Sequence, residues 1–162
     1  MAYVGRFATT RAKLAAYLRR KIGEKGWDAP QPPDIEQLVN RFADLGYIDD
    51  AAYALSKARA LGARGYGERR VSQMLHQAGI GEADGAPARE AACDGATASA
   101  IRYAQRRRLG PFARQRPDPK ARDRALSAMI RAGHGFDLAR RLIDLAPDQN
   151  ADPDRLERSL ES

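Results

Sequence analysis

The sequence predicts an all-α protein, an elongated array of three tandem three-helix repeats with about nine helices. Three observations carry this expectation. Every periodic segment places its apolar residues at helical spacing. Glycines and Asp-Pro pairs punctuate those segments where helices stop and start. Finally, RVSQMLHQAGI, residues 70–80, is echoed by RALSAMIRAGH, residues 124–134, at an offset of 54 residues (Gly79 to Gly133). A unit of that length holds three helices, as tandem helical arrays do. The expected units are 1–62, 63–112 and 113–162, the last with a polar C-terminal tail.

The first helix carries Leu14, Tyr17, Leu18 and Ile22 on one face, with Thr9 or Thr10 as its cap and Gly23 and Gly26 ending it. The proline-rich stretch APQPPD, 29–34, leads to a second helix with Ile35, Leu38, Val39, Phe42 and Leu45 turned inward. Gly46 stops that helix as a left-handed C-cap, and Tyr47 and Ile48 fold back after it. Asp49 caps a third helix, Asp50 suits its positive first turn, and Ala51, Ala54, Leu55, Ala58 and Leu61 face the core.

Gly62 and Gly65 break the chain before a fourth helix with Val71, Met74 and Leu75 inside, ending at Ala78-Gly79-Ile80. Residues 81–96 hold no large aliphatic or aromatic side chain. A short helix over 87–92 has little to bury, and its stability is left open. In the sixth helix Thr97 or Ser99 is the expected cap, Ile101 and Ala104 face inward, and Gly110-Pro111 is the stop. Asp118 caps the seventh helix with Pro119 at its first position, where the missing N–H costs nothing. Its stripe is Leu126, Met129 and Ile130. The eighth uses Phe136, Ala139, Leu142 and Ile143, with Pro147 as terminator. Asp152-Pro153 opens a marginal ninth helix on Leu156 and Leu160.

Composition narrows the function. The 162 residues are 43% hydrophobic but only 7% aromatic, so the core is expected from closely packed, alanine-rich helices. A net charge of +7 favours an anionic partner, most often nucleic acid. Cys93 is alone, which excludes an internal disulfide and fits a cytoplasmic setting. His76 and His134 lack ligand spacing to any cysteine or carboxylate cluster, so no metal or cofactor is expected. Residues 1–23 carry Arg6, Arg11, Lys13, Arg19, Arg20 and Lys21 and no acid. That composition resembles a transit peptide, but the first helix of the fold is the preferred reading. No apolar run is long enough for a membrane span.

RGYG, residues 64–67, poses the sharpest choice between a phosphate loop and a joint. A Walker loop needs Gly-Lys-Ser/Thr after its glycine turn, and this chain has none, nor any GxGxxG. Gly65, Tyr66 and Gly67 are therefore read as a structural joint, with Tyr66 packed between repeats. Asp49-Asp50 is likewise read as helix capping rather than as a metal or acid–base pair. No nucleophile–base pair is evident, so no enzyme is expected.

Charge is the strongest functional signal. Arg102, Arg106, Arg107, Arg108, Arg114, Arg116, Lys120, Arg122 and Arg124 face only Asp118 and Asp123 in that stretch. Arginine's planar fork suits phosphate and carboxylate. Arg108 shares a helical face with Ile101 and is expected to run along the core to an edge. Arg64, Arg69 and Arg70 form a second group at the start of the fourth helix, where cations do not help the helix itself. Glu68 is the nearby acid available to neutralise them.

The stretches LGYIDDAAYA, 45–54, ARGYGERRV, 63–71, and AGI, 78–80, together resemble the RecX family of regulators of the RecA recombinase. RRRLGPF, 106–112, and MIRAGHGFDLARRLI, 129–143, match forms seen in some members, so the resemblance covers roughly residues 5–145. It implies an elongated, all-helical protein of three three-helix repeats, and a monomer is expected. It also implies binding along the groove of a RecA filament on single- or double-stranded DNA, dampening ATPase, recombination and SOS-related activity. The alternative is a stand-alone helix-turn-helix-type DNA-binding regulator, which three-helix units and arginine clusters also permit.

Overall fold

A computed structural model describes residues 9–161. Arg6 and the first residues of the RecX-like stretch lie outside them. Among the described residues the fold is all-helical: α1 (Arg11–Lys25), α2 (Ile35–Asp44), α3 (Asp50–Ala63), α4 (Glu68–Gln77), α5 (Glu82–Asp94), α6 (Ala96–Arg107), α7 (Pro119–Arg131), α8 (Phe136–Asp144) and α9 (Pro153–Glu161). A 3₁₀ turn, Gly110–Phe112, follows α6.

Side-chain caps start five of these helices, α9 among them, where Asp152 Oδ1 accepts from Asp154 N at 3.1 Å. Thr10 Oγ1 accepts from Lys13 N at 3.2 Å, Asp34 from Gln37 N at 2.9 Å, Asp49 from Ala52 N at 2.8 Å and Asp118 from Ala121 N at 2.7 Å. Each satisfies an amide that the helix leaves without a partner. Three boundaries differ from expectation. Gly23 and Gly62 lie inside α1 and α3, where a glycine costs only about 1 kcal/mol against alanine. Thr97 and Ser99 lie inside α6, which starts from Gly95 without a side-chain cap. Ser99 Oγ instead donates to Ala96 O at 2.9 Å.

Helix α5 runs the full span from Glu82 to Asp94, with Pro87 inside it. The sequence offers it no large apolar side chain, yet it packs closely on α3. Smallness is the means. Gly85 and Ala88 are buried, and Ala88 shares a core with Ala54 and Ala58 of α3. Dispersion gathered over a tight Ala–Ala contact replaces the bulk of leucine.

Three apolar clusters hold the molecule. Leu14, Ala15, Val39 and Ile48 join α1 to α2. Ala54, Ala58, Val71, Leu75, Ala78, Ile80 and Ala88 join α3, α4 and α5. Ala100, Ile101, Ala104, Met129, Ala139, Leu142, Ile143 and Leu160 join α6, α7, α8 and α9. So α3 enters the core of α4 and α5, and α6 enters the core of α7 and α8. Helices α3 and α6 thus each lend their buried residues to the cluster that follows them in the chain. Along the same line α3 touches α6, and α6 touches α9. Leu38, Leu45 and Phe136, expected inside, are instead 41%, 62% and 50% exposed.

The sequence echo is a backbone echo. After α4, Gly79 (φ 68°) donates to His76 O at 3.0 Å and Ile80 N donates to Leu75 O at 3.0 Å. After α7, Gly133 (φ 99°) donates to Ile130 O at 2.9 Å and His134 N donates to Met129 O at 3.2 Å. Each corner then docks on the head of an earlier helix. Thr10 Oγ1, at the head of α1, donates to Ala78 O at 2.7 Å. Gly67 N and Arg69 N, at the head of α4, donate to Ala132 O at 3.0 Å and Gly133 O at 3.2 Å. At the second corner free amides of one helix meet carbonyls left free at the end of another, and at the first a side-chain hydroxyl takes the part of the amide.

RGYG is the second of these joints. A Cβ on Gly65 (φ 78°) would stand 2.8 Å from Tyr103 N, and one on Gly67 would stand 2.5 Å from the Gly133 carbonyl. His134, 2% exposed, places Nε2 3.0 Å from Gly65 O. Because that carbonyl only accepts, the proton is on Nε2. Tyr66 is half-buried beside it.

Candidate functional site

The two basic groups meet through backbone carbonyls at the end of α3. Arg102, on α6, donates to Gly62 O at 3.3 Å, and Arg106, one turn on, donates to Arg64 O. Guanidinium groups laid across a helix C-terminus complement its partial negative charge. Arg64 caps α3, with its guanidinium 5.5 Å from the Tyr66 ring centre. Arg107 lies 5.8 Å from the ring centre of Tyr103. Arg64, Arg102 and Arg106 are therefore gathered at one junction of α3 with α6.

Beside that junction α3, α5 and α6 enclose a groove of about 340 Å³. Arg59 and Arg102 line it together with Tyr66, Val71 and Ser99. Its remaining wall is small residues such as Ala58, Gly62, Ala92 and Gly95. Arg59 went unnoticed in the sequence because it lies outside the dense arginine runs. Only the packing of α6 on α3 brings it to Arg102.

Other cations fall elsewhere. Arg69 and Arg70 are exposed at the head of α4, where Arg70 donates to Gln73 Oε1 at 3.4 Å. Among the described residues Glu68 pairs with neither. Arg108 does not run along the core with Ile101. It is the left-handed C-cap of α6 (φ 53°), so its side chain leaves the helix face and stays exposed. With Arg114 it lines two grooves beside the 3₁₀ turn. Arg116, Lys120 and Arg124 are exposed near the start of α7.

Arg122 is the exception. Its Nε and Nη2 reach the two Asp144 oxygens at 2.6 and 2.8 Å, and Nη1 lies 3.4 Å from Asp123. The Arg122 guanidinium holds the Asp144 carboxyl below the usual carboxylate range, with Arg140 and Arg116 adding to it. Such a forked pair is an internal tie between α7 and α8 and leaves little of Arg122 for a partner. Among the described residues, no other member of the two basic groups forms an ion pair with a carboxylate outside that tie.

The Asp49-Asp50 pair divides its labour. Asp49 caps α3, whereas Asp50, 4% exposed, accepts from Arg11 N at 3.0 Å and Arg11 Nε at 3.4 Å. Arg11 Nη2 also reaches Asp84 on α5 at 2.6 Å. One arginine thus joins the starts of α1, α3 and α5. No group of three metal-ligating side chains occurs among the described residues.

A "Regulatory protein RecX" of Myxococcus xanthus is 32% identical over 161 residues, spanning 90% of this chain and 82% of its own. The chain belongs to the RecX family. A RecX regulatory protein of Agrobacterium fabrum is 26% identical over 147 residues, 88% of this chain and 78% of that one. One of Vibrio cholerae is 40% identical over 60 residues, 37% of this chain and 38% of that one. No family model and no solved structure matches the chain.

Seen as a RecX protein, the molecule has its named stretches at its joints. LGYIDD is the α2–α3 corner, RGYG the α3–α4 corner, and the two Ala-Gly corners follow α4 and α7. At Gly65, Gly67 and Gly133 backbones approach too closely for a side chain, whereas Gly46 has open space around it and is held to glycine by its φ of 75°. Arg64 belongs to the RGYG corner itself, and Arg102 and Arg106 reach that corner from α6.

Proposed function

We propose that this RecX-family chain is a monomeric, cytoplasmic, non-enzymatic regulator that binds the RecA–DNA filament and dampens its ATPase, recombination and SOS-related activity. The units 1–62, 63–112 and 113–162 form an elongated array along the filament groove and bridge neighbouring subunits. Cations of α3, α4, α6 and the start of α7 meet acidic protein surface and DNA phosphates.

The observation that carries this reading is the state of those cations. Arg64, Arg102 and Arg106 converge without a carboxylate partner among the described residues, although the chain has acids to spare. A surface evolved only for solubility gains nothing from crowding like charges. Helix-terminal carbonyls offset part of that repulsion, and an anionic partner supplies the rest.

RecA's DNA-dependent ATPase, measured with the purified protein added, tests the proposal. The expected result is a dose-dependent fall in hydrolysis, and no change at saturating protein rejects it. A duplex-binding selection run alongside should yield no consensus. A strong consensus would favour the helix-turn-helix alternative. DNA affinity is expected to fall steeply with salt, by about 10³-fold or more between low and moderate salt if six or more phosphates are contacted.

A further inference from the structure

Helices α2, α3, α4, α6 and α7 end on the same corner. In each, a left-handed residue donates its amide to the carbonyl three residues back, and the following amide donates to the carbonyl just before that one. Four of the corners are glycine: Gly46, Gly65, Gly79 and Gly133, with φ of 75°, 78°, 68° and 99°. The fifth is Arg108, with φ 53°. Arg108 N donates to Gln105 O at 3.2 Å, and Leu109 N to Ala104 O at 2.9 Å. Among the described residues Arg108 alone takes a positive φ without being glycine.

The corner satisfies the last carbonyls of a helix, and glycine serves it because no Cβ crowds the carbonyl oxygen. A bulky residue there is strained. Glycine is used close by where it is needed: a Cβ on Gly110, two residues on, would run into Leu142 O. Exposure does not account for the arginine either. At Gly46 nothing stands within 4 Å of a Cβ, and that corner is still glycine. A strained residue held where an easier one would serve points to function.

The strain also directs the side chain. Arg108 leaves the helix face and stands exposed on the wall shared by two grooves of about 660 and 670 Å³. Arg114 is the other cation on that wall. Neither forms an ion pair among the described residues. Among the residues lining the grooves Asp148 is the one acid, and its Oδ1 accepts from Asn150 N at 2.9 Å. Gln105 and Gln149 line one groove and Gln115 the other, with amides that both donate and accept. An acidic side chain meets a guanidinium at one place. An occupant running from one groove into the other passes both arginines, so it must carry charge along its length. A phosphodiester strand does, and its phosphate oxygens suit arginine's fork.

Resting on the reading above in which DNA is a partner, we infer that Arg108 and Arg114 grip the phosphodiester backbone of a DNA strand, and that Arg108 holds its strained position for that contact. The site extends the cationic track past the end of α6, and one of its grooves runs on to Ala121 and Ala125 of α7.

The test is fluorescence anisotropy of a labelled oligonucleotide of mixed sequence, single-stranded and duplex, titrated with full-length protein over a range of salt. Co-sedimentation with RecA–DNA filaments runs alongside. Arg108→Gly relieves the strain, so its thermal midpoint is expected to rise by about 2 °C or more. It should nevertheless lose about threefold or more in DNA affinity, with a salt slope shallower by about one. Arg108→Ala keeps the strain and should lose the same affinity without the gain in midpoint. Arg108→Lys keeps charge and strain and should stay within about twofold of wild type. Arg114→Ala should match Arg108→Ala in affinity and slope. Wild-type affinity and slope in Arg108→Gly overturn the inference. A lowered midpoint in that variant does so too, since Arg108 would then hold the fold rather than the strand. A loss confined to RecA filaments, with DNA alone bound as before, also overturns it and assigns the grooves to acidic protein. Wild type that binds no DNA sinks the inference together with the DNA half of the reading above. RecA's ATPase left unchanged by wild type rejects the filament reading alone, and the anisotropy still decides the site.

Discussion

The two Ala-Gly joints are alike in backbone and unlike in residues. At the first, the Ala78-Gly79 corner rests on Thr10, whose hydroxyl donates to Ala78 O while its oxygen caps α1. At the second, the Ala132-Gly133 corner rests on Gly67, whose own amide donates to Ala132 O. Beyond the corner stands Ile80 in one and His134 in the other, 7% and 2% exposed. One joint is made with a side chain, the other with naked backbone. The difference teaches that the repeat preserves a path and a spacing, and that each joint finds its own hydrogen bonds within them.

Alanine at the corner glycines should break the second joint harder than the first. A Cβ on Gly133 (φ 99°) would stand 2.6 Å from Arg70 N, a backbone atom that cannot step aside. One on Gly79 (φ 68°) would meet Ala12 Cβ at 2.3 Å, a side chain at an exposed helix start. Left-handed strain adds about 1 kcal/mol at either site. Gly133→Ala is expected to destabilise by about 3–4 kcal/mol and Gly79→Ala by about 2 kcal/mol, read from urea midpoints. Equal losses would mean that the two joints are equally tight.

A smaller effect is expected at Thr10. Thr10→Ala removes the cap of α1 and the bond to Ala78 O together, at about 1–2 kcal/mol. Gly67→Ser is the complementary change. It offers the second joint a hydroxyl but must fit a Cβ against Gly133, so it should destabilise where Thr10 stabilises.

Smallest at neutral pH, but distinctive in form, is His134. Burial pushes its imidazole below the usual histidine range, with the bond to Gly65 O opposing in part. The unfolded chain therefore takes up a proton before the folded one does. Stability from this group is present above about pH 6.5 and declines as pH falls from there toward the lowered folded value. His134→Ile copies Ile80 and should flatten that decline in thermal midpoints between pH 7 and 5. It loses the bond to Gly65 O, at about 1 kcal/mol at pH 7. An unchanged slope would place the titration elsewhere.

Much of the fold was legible in the sequence because caps and stops are local. Asp49, Asp118 and Gly46 announce themselves within a few residues, and the structure uses each as read, while the Asp34 cap of α2 went unread inside its proline-rich stretch. Helix α5 was obscure because its packing depends on what it lacks, and Ala88 signals nothing until Ala54 and Ala58 join it in one core. Leu38, Leu45 and Phe136 look like core because periodicity cannot tell a covered face from an uncovered one. Among the cations, composition gave the two groups, but not the tie of Arg122 to Asp144, the left-handed turn at Arg108, or the arrival of Arg59 beside Arg102. All three depend on residues distant in sequence or on a backbone conformation unusual for arginine.

The central claim is that the arginines at the junction of α3 and α6 serve an anionic partner. Arg64→Gln/Arg102→Gln/Arg106→Gln keeps hydrogen-bonding side chains over the α3 carbonyls while removing the charge. Sedimentation with RecA–DNA filaments at moderate salt should then fall at least about tenfold, with a shallower salt dependence and a thermal midpoint within a few degrees of wild type. Filament binding that keeps both its strength and its salt slope would contradict the claim.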